Sequence, residues 1–268
     1  APNMEIQSFK FFDSGYFVMA GGGNKGFIDC ASVGFGGRGG HGHNDCLSFD
    51  ANLANVSVIS DSGTFVYSEN FKARNEFRST SYHSTPQIDG EEMNRFLGPE
   101  ELFSLSNDAV PELRAWKTMN GDEIFSGSHS GYERLSPGLR PVRTIILDKS
   151  ISTLLVHDVF EGEGEHAVSI PYHLGAGAVI NWLGRDTWQL NIEGSEFLIY
   201  ASPIVDWTAQ IESGWISERY GNRIERPILS FKRIGALKGL RLVIGPATNV
   251  PDDLEGWVAQ KLKSALNG

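Results

Sequence analysis

The chain has 268 residues, 40% of them hydrophobic, with 31 Gly, 11 Pro and a formal net charge of −10. That length buries a sizeable core, and so many Gly and Pro argue against an all-helical fold, because each Gly inside a helix costs about 1 kcal/mol against Ala. The acidic balance excludes a general nucleic-acid binder, which needs a basic surface to displace counterions from phosphates.

No apolar run is long enough for a transmembrane helix, and the opening APNMEIQSFKFF lacks the basic start and apolar stretch of a secretion signal. The chain starts at Ala1, as a processed or excised piece would, and its two cysteines, Cys30 and Cys46, imply no disulfide framework. In chain order, FFDSGYFVMA and NVSVIS predict strands, and PEELFS, opening on Pro99, predicts a helical turn. Strands are again predicted at RTIILD, STLLVHDVF, TWQLNI, EFLIYAS, ILSFKRI and GLRLVIGP, each bounded by Gly, Asp, Asn, Ser or Pro. The last stretch, PDDLEGWVAQKLKSALNG, predicts a helix: Pro251 suits a first turn, Asp252 and Asp253 suit the positive end, and Leu254, Trp257, Val258 and Leu262 make one apolar stripe to cover a sheet edge. The expected architecture is all-β, a large antiparallel β-sandwich (a super-sandwich) with a short C-terminal helix, in one continuous domain over residues 1–268.

Chemistry concentrates between residues 41 and 83. If GGRGGHGHNDCLSFD is extended, His41, His43 and Asp45 share a face, because side chains alternate along a strand. A strand ending at Asp61 before a Ser-Gly turn follows, then His83 ahead of Pro86. Two imidazoles and a carboxylate from separate segments make a usual zinc set. The competing reading is plain: His-x-His is commonly a hydrogen-bonded surface feature, and an Asp before Ser-Gly commonly caps backbone amides.

The run HGHNDCLSFD, the strand ending DSGTFVY, then NEFRSTSYHSTPQIDGEEMNRF and later HSGYERL with RTIILD together resemble the heparinase II/III-like polysaccharide lyases, in the part that forms their C-terminal β-sandwich. The resemblance spans nearly the whole chain. It implies a single, structural zinc ion held by His43, Asp61 and His83, with His41 as the catalytic residue of the substrate cleft. The family usually has Asn after the third histidine, where this chain has Ser84, which questions a local hydrogen bond.

The resemblance further implies β-elimination on a uronic-acid-containing polysaccharide such as a glycosaminoglycan. A base removes the C5 proton while a cationic or hydrogen-bonding group neutralises the C6 carboxylate. His41 suits either task. Arg78 is offered as a carboxylate contact, and Asn44 and Tyr132 join it as substrate-binding residues, whereas Arg74 and Arg38 read as solvated charges. The family's N-terminal α/α-toroid, which carries its principal catalytic Tyr, is absent from the sequence, so the isolated chain is expected to be weakly active or inactive. A periplasmic or secreted location follows from the family.

Two other readings stay open. A non-catalytic carbohydrate-binding sandwich would use Trp182, Trp188, Trp207 and Trp215, with Arg219, Arg223, Arg226, Lys232 and Arg233 as a polyanion contact or, by default, a solvated face. A binuclear metallohydrolase would want a further His where Cys46 stands.

Overall fold

The computed structural model describes residues 7–203 and 205–266. Its strands are β1 (Phe9–Phe11), β2 (Tyr16–Gly21), β3 (Asn24–Asp29), β4 (Phe49–Leu53), β5 (Val56–Ile59), β6 (Gln87–Ile88), β7 (Pro111–Met119), β8 (Asp122–His129) and β9 (Leu139–Asp148). They continue as β10 (Thr153–Gly162), β11 (Glu165–His173), β12 (Val179–Gly184), β13 (Thr187–Ile192), β14 (Ser195–Ser202), β15 (Thr208–Arg219), β16 (Asn222–Ala236) and β17 (Leu240–Pro246). Among the described residues three α-helices accompany them, α1 (Gly34–Gly37), α2 (Phe71–Phe77) and α3 (Leu254–Leu266), with a 3-10 turn at Thr80–Tyr82.

Every pairing between named strands is antiparallel, in sheets ordered β1-β2-β3-β4-β5, β12-β13-β14-β17-β10-β9-β8-β7 and β15-β16-β11-β6. A bridge between Ile59 and Leu174 joins the five- and four-stranded sheets, and both pack on the eight-stranded one. Phe17 meets Phe125 at 5.2 Å and Trp188 meets Phe231 at 5.5 Å across that interior.

The apolar runs are continuous because the eight-stranded sheet is covered on both faces. Ile145, Leu147, Leu154, Val156, Leu242 and Ile244 point into the main core. Their neighbours Ile146, Leu155 and Val243 point the other way, with Ile124, into a second core under Val258 of α3. TWQLNI, at the uncovered end of the same sheet, keeps strict alternation instead.

The C-terminal helix thus forms with the expected stripe but covers a sheet face rather than an edge. It also starts later than Pro251: Asp253 is its cap, its carboxylate accepting the Gly256 N–H at 2.9 Å. PEELFS forms turns and not a helix; the helical turns lie upstream at α2, where the Asn70 side chain accepts the Ala73 N–H at 3.0 Å. Trp188 and Trp207 are buried packing residues, unavailable to a sugar, while Trp182 is 65% exposed.

Candidate metal centre

The connections between β3 and β4, between β5 and α2, and between α2 and β6 converge at one end of the sandwich. Asn44 N–H donates to Arg78 O at 2.9 Å, and the Asn44 amide bonds Glu92 Oε2 and Asn94 O at 2.7 and 2.9 Å. Glu92 Oε2 also accepts the Thr80 N–H at 2.7 Å, so one carboxylate ties the His43 segment to the turn before His83.

Within this frame the rings of His43 and His83 lie 5.3 Å apart, and ligand atoms of His43, Asp45 and His83 come within 4.8 Å of one another. Asp61 Oδ2 is 2.7 Å from His83 Nδ1. His83 is wholly buried, and its Nε2 has no hydrogen-bond partner among the described residues. The structure therefore brings His43, Asp61 and His83 together and adds Asp45. His41 does not share their face, because the chain bends at residues 41 and 44 instead of running extended.

The electrostatics suit a cation. Burial, then the neighbouring His83, pushes the His43 imidazole down to about 3, which keeps it in the neutral form that ligates metals. Burial raises the carboxyls of Asp45 and Asp29, and burial with the charge of Asp61 raises Asp50 to about 6. At the pair itself burial works against both charges, but mutual attraction wins: His83 is held above the ordinary histidine value and Asp61 well below the carboxylate range. An orphaned buried imidazole nitrogen among crowded carboxylates is a donor set that fits one divalent ion with nitrogen and oxygen preferences, such as zinc.

His41 is exposed on the surface beside this centre, its ring 5.4 Å from Tyr67 and 6.1 Å from Phe103. Asn44, Arg78 and Tyr132 lie elsewhere than substrate contact requires, since none has accessible surface. Arg78 donates to the carbonyls of Glu101, Leu102 and Ser104, and the Tyr132 hydroxyl to those of Pro86 and Glu91. They are framework, and their polar groups are spent inside the protein. Ser84 takes up the position of the family's Asn with a bond of its own, Oγ accepting the His173 N–H at 3.0 Å.

Four arginines are buried, where a solvated charge is the ordinary expectation for the residue type. Arg74 is buried, with Nη1 2.8 Å from His43 Nε2. Arg226 is buried and donates to Ser60 O at 2.7 Å and to the Ser62 hydroxyl, pinning the segment that carries Asp61. Arg143 forks onto Asp158 at 2.7 and 2.9 Å and reaches Leu47 O at 2.9 Å and Ser84 O, one on each side of the centre. Arg233 is buried too, over Trp207.

Comparison with known proteins agrees with this geometry at the level of the fold. A solved heparinase III gene product is 21% identical, with a TM-score of 0.73 over 92% of this chain and 37% of that one. The heparan sulfate lyase HepC from Pedobacter heparinus is 20% identical, with a TM-score of 0.72 over 92% of this chain and 37% of that one. A further heparinase III structure gives 14% identity and a TM-score of 0.69 over 87% of this chain and 35% of that one. The chain thus spans little more than a third of the length of these proteins. No curated protein matches it. Residues 3–246 match the family described as "Heparinase II/III-like, C-terminal", and the chain belongs to that family.

Proposed function

We propose that the chain is the β-sandwich part of a polysaccharide lyase that cleaves a uronic-acid-containing polymer by β-elimination, outside the cytoplasm where such polymers occur. The observation that carries this reading is the placing of an exposed His41 two residues from a half-buried His43, beside Asp61 and the buried His83. His43, Asp61 and His83 would hold one zinc ion, with Asp45 close enough to join them. The ion's contribution would be structural, a charge that ties three segments together.

His41 is the group free to meet substrate. In the elimination the C5–H bond breaks, its electrons form the C4=C5 double bond, and the C4–O4 bond gives up its pair to a leaving oxygen that takes a proton. His41 can accept the C5 proton when neutral or pair with the C6 carboxylate when charged, and its exposure allows both. The remaining catalytic groups would belong to the N-terminal helical toroid that the family resemblance implies.

The test is absorbance of the unsaturated product. The full-length protein should cleave a uronate polymer and His41→Ala should reduce kcat at least 100-fold, while this chain alone stays silent. Robust turnover by the chain alone, or none by the full-length protein on any uronate polymer, refutes the reading. Metal analysis should find one zinc per chain, lost in His83→Ala together with a fall in Tm; a folded preparation without metal whose Tm ignores His83→Ala refutes the structural ion.

A further inference from the structure

The surface around His41 continues into a part of the chain remote in sequence. The tip of the β15–β16 hairpin is anchored on the Asp61 segment: Ser217 N–H donates to Ser62 O at 2.9 Å, Gly221 N–H donates to Phe65 O at 2.8 Å, and Gly63 bridges Ser217. This fixes Tyr220 against Tyr67, ring centroids 6.1 Å apart and planes 24° from parallel. Tyr67 also meets Phe103 at 6.1 Å and 20°, and His41 stands edge-on to Tyr67 at 5.4 Å.

Single exposed aromatics are ordinary, and aromatic rings in β proteins are commonly core. Here Tyr220 is 57% and Phe103 48% exposed, so neither is core, and both are linked through Tyr67 into one surface of nearly parallel rings beside His41. Two cations sit at its hairpin end. Arg219 is exposed and has no carboxylate partner among the described residues, and Arg223 lies over the rings of Trp215 and Phe65 at 4.3 and 5.1 Å. On a chain with net charge −10, such cations supply local positive potential where an anionic ligand needs it.

We infer that Phe103, Tyr67 and Tyr220, ended by Arg219 and Arg223, form a binding subsite that holds the sugar rings of an acidic oligosaccharide and leads it to His41. Flat aromatic faces match the apolar C–H faces of pyranose rings, and guanidinium groups match their carboxylates. The inference rests on the lyase reading and adds the path the polymer takes over this domain.

The test is titration of this chain with an unsulfated hexasaccharide of alternating glucuronate and N-acetylglucosamine, followed by calorimetry. Tyr220→Ala and Phe103→Ala, both at exposed positions, should each weaken binding about tenfold, and Arg219→Gln should weaken it and flatten its salt dependence. Ile234→Ala, at an 86% exposed position on the same sheet, should bind as wild type. Wild-type affinity in both aromatic variants, or no binding by the wild-type chain, overturns the subsite. So does loss, in Tyr220→Ala, of association with the helical region supplied as a separate chain while sugar affinity is kept, since the face would then be a domain contact. Normal elimination by full-length protein carrying Tyr220→Ala and Phe103→Ala would sink the subsite and leave the lyase reading standing.

Discussion

Removing one partner of the Arg143–Asp158 pair isolates what braces the candidate metal centre from behind. Both side chains have no exposure, and the fork is completed by the Tyr172 hydroxyl, which donates to Asp158 Oδ2 at 3.3 Å. Asp158→Ala leaves a buried guanidinium without its counter-charge, a change that costs about 3–5 kcal/mol. Arg143→Met with Asp158→Leu removes both charges, so the part of that loss due to an uncompensated buried charge is recovered. It still leaves Leu47 O and Ser84 O without the guanidinium, at roughly 1–3 kcal/mol for each carbonyl left unpaired. Since Ser84 follows His83 directly, the double variant should also bind zinc about 10–100-fold more weakly, as outer-shell losses do. Urea denaturation, with excess zinc and with chelator, measures the first effect, and competition with a chromophoric chelator measures the second. A cost below about 1 kcal/mol for Asp158→Ala, or wild-type zinc affinity in the double variant, refutes the role given to Arg143.

His129 is buried and its pKa is lowered to about 3, by burial first and then by nearby arginines. Its contribution is therefore present above the unfolded value near 6.5 and is lost as pH falls from there toward 3, at up to about 1.4 kcal/mol per pH unit. Asp50, raised to about 6, acts in the opposite sense, so the readout is the difference between wild type and His129→Gln, whose stability should fall less steeply between pH 6 and 4; parallel curves would refute it. Gly63 sits at φ +73°, and a Cβ there would collide with the Ser217 carbonyl oxygen. Gly63→Ala should cost at least about 2 kcal/mol and weaken zinc binding, because the Gly63 N–H also holds Asp61 Oδ1 at 2.7 Å; unchanged melting and affinity would show that the hairpin moves freely. Asp253→Ala should lose about 1 kcal/mol by thermal unfolding through the helix cap, and no loss would place the capping elsewhere.

Strands were legible wherever an apolar run was bounded by turn residues, as at RTIILD and GLRLVIGP. What the runs do not say is which face meets which layer, and so α3 was expected on an edge although the two-sided burial of Ile145 and Ile146 requires a cover. The helix α2 was missed because FKARNEF carries too few apolar residues for a stripe; Asn70, its cap, was the available signal. At the centre, His43 and His83 were legible through spacing, and Asp61 through its place at a strand end. Asp45 was linked to His41 by assumed alternation, which the bends at residues 41 and 44 cancel. The buried arginines were illegible for a definite reason. The partners of Arg143 and Arg226 include backbone carbonyls from distant segments, and every residue type offers a carbonyl.

The reach of Arg143 also bears on how the chain is made. Its two carbonyl partners precede it by 96 and 59 residues. At synthesis rates of 5–20 residues per second, the Leu47 segment waits about 5 to 20 s for the side chain that will brace it. Through that interval its histidines and carboxylates are outside any finished scaffold, open to whatever ion or chaperone is at hand. A cation at this candidate centre would therefore gain its full frame only after β9 and β10 have paired.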